Sequence, residues 1–135
     1  MKAVMSIGNP LKGDDNIGNL IIDKLILKDM IKIKARNTPE NFIEKLKGCD
    51  EIIILDALEF GGKVGEVNIF KLNEIKDIFS TTHNIPINIL QKFLPNSEIK
   101  IIGIQPKNIN FREGLSKELK EEFENIVKKV SKLLL

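Results

Sequence analysis

EIIILDA, residues 51–57, sets four large apolar residues in a row and closes the run with an aspartate and an alanine. A half-buried strand alternates apolar and polar residues, and a helix repeats its apolar face every three or four positions. An unbroken run this short reads as a strand covered on both faces, the kind found in parallel sheets sandwiched between helices. Working outward, KAVMSI (2–7) and EIKIIGIQP (98–106) have the same character. IKIKAR (31–36) alternates apolar and charged residues, as an edge strand does, and VGEVNIF follows the turn Phe60-Gly61-Gly62-Lys63 as a further strand.

Helical patterns lie between these runs. Ile17, Leu20, Ile21 and Leu25 share one face, predicting a helix from residue 17 to about Met30. TPENFIEKLK opens with Thr38 as N-cap and Pro39 at the first helical position, and ends near Gly48. A third helix is expected from about Pro86 to Leu94. The last, capped by Ser116, carries Leu119, Phe123, Ile126, Val127, Val130 and Leu134 on its apolar face. Strands alternating with helices at short spacing predict the α/β class, here one three-layer α-β-α domain over residues 1–135 with a mainly parallel twisted central sheet.

A chain of 135 residues can bury one genuine core, and 42% hydrophobic with 30% charged residues is the balance of an ordinary globular protein. The 21 basic and 19 acidic residues nearly cancel, to a net charge of +2. The basic residues form no stripe interleaved with aromatics, and Trp and Tyr are absent, which disfavours a nucleic-acid platform. No apolar run approaches the roughly 18 residues of a membrane span. The opening MKAVMSIGNP has too short an apolar stretch for a secretion signal, so a cytoplasmic protein is expected. Small size and mixed surface charge make a monomer the expectation. Cys49, the single cysteine, can form neither an internal disulfide nor a CxxC site and reads as a buried, inert thiol.

In open α/β sheets, ligands bind beyond the carboxyl ends of the strands, where the strand order reverses. The loop GNPLKGDDNIG (8–18) leaves the first strand, and Asp56 closes the third. If these strands are neighbours, with IKIKAR outside the first, then Asp14, Asp15 and Asp56 share one crevice. His83, the sole histidine, lies in STTHN (80–84) after the fourth strand and is placed to reach the same edge. Two carboxylates and an imidazole suit a transition metal with coordination positions left open. Each residue also has a plainer reading. Asp15 or its neighbour would cap the first helix, Asp56 would bond the amides of the turn before Phe60, and His83 would be a surface residue.

Three other chemistries fit poorly. A phosphate loop needs GxxxxGK[ST], whereas this loop would set two negative charges against the phosphates. A dinucleotide fingerprint needs GxGxxG, which GNPLKGDDNIG lacks. A serine or cysteine hydrolase needs a nucleophile near a base. His83 has only Ser80, Thr81 and Thr82 beside it in sequence, and no nucleophile elbow occurs.

GNPLKGDDNIG, LDALEFGGKVGEV (55–67), STTHNIPINIL (80–90) and GIQP (103–106), in this order, resemble the hydrogenase maturation endopeptidases. The nearest likeness is to the branch acting on the formate-hydrogenlyase type of nickel–iron hydrogenase, and it runs from Met1 into the last helix. The resemblance implies a protease that removes a short C-terminal extension from the large-subunit precursor after nickel insertion, with the bound nickel as the recognition signal. The family's three metal-contacting positions fall on Asp15, Asp56 and His83. Asn9, Gly61 and Gly62 would shape the substrate groove. Either the metal activates water or polarises the carbonyl, or an acid such as Asp14 acts as general base. One departure is Asn16, where the family often has glycine. Two alternatives stand beside the protease: a non-catalytic metal-binding or chaperone module for the same large subunit, and a small α/β binding domain whose acids only cap and turn.

Overall fold

A computed structural model describes residues 1–75 and 87–135. The three apolar runs become β1 (Lys2–Ile7), β3 (Glu51–Ala57) and β5 (Glu98–Ile104), adjacent and mutually parallel at the centre of a five-stranded sheet. β2 (Met30–Arg36) pairs in parallel with β1 at one edge, and β4 (Val67–Lys71) pairs antiparallel with β5 at the other, giving the order β2-β1-β3-β5-β4. The sheet is therefore mainly parallel. On β2, Ile33 and Ala35 are buried while Lys32, Lys34 and Arg36 are exposed, so the alternation in IKIKAR marks a true edge. Exposed lysines on such a strand discourage pairing with another chain.

Because successive strand residues face opposite sides, each central strand feeds two cores. Ala3, Met5, Ile52, Ile54, Ile99 and Ile101 pack with Leu46 of α2 (Ile43–Leu46) and Leu90 of α3 (Ile87–Phe93). Val4, Ile53, Leu55, Ile102 and Ile104 pack with Ile17 and Ile21 of α1 (Ile17–Ile22) and with Leu119, Ile126, Val130 and Leu134 of α4 (Lys117–Leu134). The three-layer α/β architecture follows. Cys49 is buried in the first core, at the amino end of β3.

The helices depart from expectation in length. α1 stops at Ile22, eight residues before Met30, and the chain turns away through i to i+3 bonds from Lys24 N to Ile21 O and from Leu25 N to Ile22 O. Leu25 is nonetheless buried in the same core, so the turn satisfies the apolar spacing that a longer helix would have produced. Pro39 does open its segment, but as a 3-10 turn (Pro39–Phe42) before the four-residue α2. Thr38 does not cap it; its hydroxyl donates to Ala35 O at 3.2 Å. The cap at Ser116 forms as expected, with Leu119 N donating to Ser116 Oγ at 3.4 Å. α3 matches the expected helix. STTHN, and with it His83, lies outside the described residues.

Candidate active site

The chain leaves β1 to build β2 on one side and then crosses to β3 on the other, so the strand order reverses between β1 and β3. Since β1, β3 and β5 run parallel, the loops after them emerge at the same carboxyl edge: residues 8–16, 58–66 and 105–116. The order β2-β1-β3 places Asp15, in the loop after β1, and Asp56, near the end of β3, at this switch point. The 3-10 turn Gly13–Asn16, which carries Asp14 and Asp15, packs against β3.

Close approach makes this possible. A Cβ at Gly18 would lie 2.7 Å from the Leu55 carbonyl oxygen, and one at Gly8 would lie 2.0 Å from the Asp15 carbonyl oxygen. Only glycine lets α1 and the loop settle so near the strand ends. Behind the loop, Ser6 Oγ donates to Asn19 Oδ1 at 3.0 Å, and Asn19 Nδ2 donates to Gly8 O and to Asn16 Oδ1. Asn16 has φ −82°, so this position needs no glycine, and its side chain joins the network instead.

Asp15 is buried and caps no helix; its Oδ2 accepts from Asn9 N at 2.8 Å, across the loop. Asn9 Oδ1 in turn accepts from Leu11 N, which sets the turn. Asp56, fully buried, is the penultimate residue of β3, in register with Gly103 of β5, and continues the row of Ile52 and Ile54. Asp14 is equally buried, and both of its oxygens are engaged by backbone. Oδ1 accepts from Ser116 N at 2.7 Å, and Oδ2 accepts from Lys107 N at 2.9 Å and Asn108 N at 3.0 Å. A base needs access to water or substrate, and this carboxylate is fully buried with three amides of the third loop bonded to it.

The third loop is the hub of the edge. Backbone bonds join it to the first loop, from Gly13 N to Arg112 O, Asp14 N to Asn108 O and Arg112 N to Leu11 O. Gln105 joins it to the second: its buried Oε1 accepts from Phe60 N and Gly62 N, each at 3.0 Å, while Nε2 donates to Glu59 and Pro106 O. Gly61, with φ +81° and open space beside it, forms the outer bend of this second loop. In the sequence Gln105 stands out only as part of the GIQP block. The signal was there: like Asp56, it is a polar residue closing a buried apolar strand. On the outer side, Lys107 pairs with Glu118 of α4, and its ammonium holds the Glu118 carboxyl below its ordinary range.

Among the described residues no three His, Cys, Asp or Glu side chains are grouped closely enough to hold a metal ion. Asp15 and Asp56 supply two hard oxygen donors, which suits completing a coordination sphere begun elsewhere rather than building one. Ser6 and Cys49 offer no nucleophile to this edge. Ser6 is sealed against Asn19, and Cys49 is at the opposite end of the sheet.

Fold and site together define an α/β protein with an acidic crevice at the switch point of its sheet. The family model for HycI, hydrogenase maturation protease, matches residues 22–133. The chain belongs to the hydrogenase maturation protease family. A protein of Methanocaldococcus jannaschii assigned to the same kind of protease is 36% identical over 140 residues, covering 92% of this chain and 82% of its own. The hydrogenase 3 maturation protease of Escherichia coli K12 is 28% identical over 135 residues, covering 94% and 86%. The crystal structure of the [NiFe] hydrogenase maturation protease HycI from Thermococcus kodakarensis superimposes with a TM-score of 0.79 at 26% identity, covering 98% of this chain and 91% of that one. These relatives are proteases, and the alternatives of a non-catalytic chaperone module and a plain binding domain give way to a peptidase. No helix among the described residues is long and apolar enough to cross a membrane.

Proposed function

We propose that this protease removes a short C-terminal extension from the precursor of a nickel–iron hydrogenase large subunit once nickel has been inserted. Nickel is part of the substrate in this reading, held by the precursor and touched by Asp15, Asp56 and His83. The observation that supports it most is the placement of buried Asp15 and Asp56 on adjoining elements at the sheet's switch point, in a chain of the hydrogenase maturation protease family. With Asp15 oriented by Asn9 N, the two carboxylates complete the metal's coordination and thereby tether the scissile bond over the crevice. Holding reactants in place can lower a barrier by several kcal/mol, of order 7 or more in well-oriented systems. Water is the attacking group, and the loop 59–62 braced by Gln105 forms one wall of the groove for the extension.

The test is to incubate the protein with nickel-loaded and nickel-free precursor and measure the precursor's mass. Loss of a C-terminal peptide from the loaded form alone is expected. An unchanged mass with precursor verified as nickel-loaded overturns the reading. In the same assay Asp15→Asn and His83→Ala should each slow cleavage by about 100-fold or more, and full activity in both would remove them from the ligand set.

A further inference from the structure

We infer that Asp14 is a positioning residue for this reaction, a clasp that fixes where the neighbouring Asp15 stands. The inference rests on the reading of Asp15 as a metal-contacting residue. Asp14 and Asp15 share the single 3-10 turn Gly13–Asn16, so the placement of one dictates the placement of the other. Asp14 is 0% exposed, and its carboxylate is surrounded by the backbone N–H groups of Lys107, Asn108 and Ser116. A carboxylate accepting three amides is held more firmly than a neutral side chain would be, because each bond is charge-assisted. Those amides belong to the loop that Gln105 also ties to residues 59–62, so Asp14 references Asp15 to the whole carboxyl edge. Across the turn, Asn9 N fixes the other side of Asp15.

Removing the charge should shift the first loop and not unfold it. Three backbone bonds between the loops do not involve the Asp14 side chain: Gly13 N to Arg112 O, Asp14 N to Asn108 O and Arg112 N to Leu11 O. Asp14→Asn keeps the shape but offers one oxygen, and sets an NH2 group against backbone N–H. Asp14→Glu keeps the carboxylate but adds a methylene at a fully buried position.

The experiment measures KM and kcat for nickel-loaded precursor, together with amide hydrogen exchange, in wild type, Asp14→Asn and Asp14→Glu. Displacing Asp15 loosens the tether that recognises the nickel site and places the scissile bond, so both variants should raise KM and lower kcat/KM at least about tenfold, to a similar extent in each. Exchange should quicken at Lys107, Asn108 and Ser116, and also at Asn9, the amide bonded to Asp15. A collapse of kcat at unchanged KM in Asp14→Asn, partly restored in Asp14→Glu, makes Asp14 the base and overturns the inference. Wild-type KM and unaltered Asn9 exchange in both variants make it a structural bond alone and overturn it too. If Asp14→Asn does not fold, Ser116→Pro deletes one donor together with the Oγ cap of α4 at a residue whose φ of −58° suits proline, and the rise in KM and in Asn9 exchange is expected over Ser116→Ala, which loses the cap alone. Should wild type fail to cleave loaded precursor, the protease reading falls on its own, and Asn9 exchange still decides the positioning role.

Discussion

Replacing Gly18 by alanine probes the closest contact between helix and sheet. The added Cβ would lie 2.7 Å from the Leu55 carbonyl oxygen, 3.1 Å from its carbon and 3.4 Å from the Ile7 carbonyl oxygen. All three are main-chain atoms of the two central strands, so no side chain can swing aside. Restoring an ordinary 3.4 Å contact moves α1 outward by about 0.7 Å. Overpacking of this kind costs about 1–3 kcal/mol, and the rigid partner puts it toward the upper end. Alanine's better helix propensity returns at most about 1 kcal/mol. The net loss of about 2 kcal/mol corresponds to a melting temperature lower by roughly 6–8 °C for a chain of this size. Gly48→Ala is the control. It has φ +91° and nothing within 4 Å, so it pays only the left-handed backbone strain of about 1–2 kcal/mol, at the end of the sheet away from the crevice. Thermal and urea unfolding should show both variants destabilised. The precursor assay should show Gly18→Ala slowed and Gly48→Ala unchanged well below its melting point. A Gly18→Ala protein as stable and active as wild type would refute the packing argument.

Gln105→Leu strips the acceptor from Phe60 N and Gly62 N, both partly buried, and should cost about 2 kcal/mol in denaturant unfolding. Amide exchange at Phe60 and Gly62 should rise while the β5 amides stay protected. The lowered pKa of Glu118, caused by its bond to Lys107, makes its stabilisation present above the ordinary value of 4.5 and lost as pH falls through the folded value. Melting curves of wild type and Glu118→Gln should therefore converge as pH falls from 4.5 through the lowered folded value.

The central strands were legible because burial on both faces leaves an unmistakable mark: 52–55 and 101–102 have no polar interruption. The edge position of β2 was equally plain in its alternation. Helix lengths were not, because apolar spacing records which residues face the core and not the backbone route between them. Leu25 reaches the core from a turn, and the short α2 hangs on a 3-10 start. At the site, the placement of Asp15 beside the end of β3 followed from topology alone. The roles of Asp14 and Gln105 did not, because each bonds to backbone amides, which every residue carries and no sequence pattern reveals. Asp14 looks like its neighbour in the string, and only its distant partners distinguish it.

Those partners have a temporal consequence. The three amides that hold Asp14 lie 93, 94 and 102 residues further along the chain. During translation at about 5–20 residues per second, the first loop waits about 5–20 s before Ser116 is even synthesised. A carboxylate is too costly to bury unpaired, so the loop cannot settle until then. The carboxyl edge of the sheet is thus completed last, when the start of α4 arrives. A nascent or C-terminally truncated chain that already has β1 to β3 is denied a working protease.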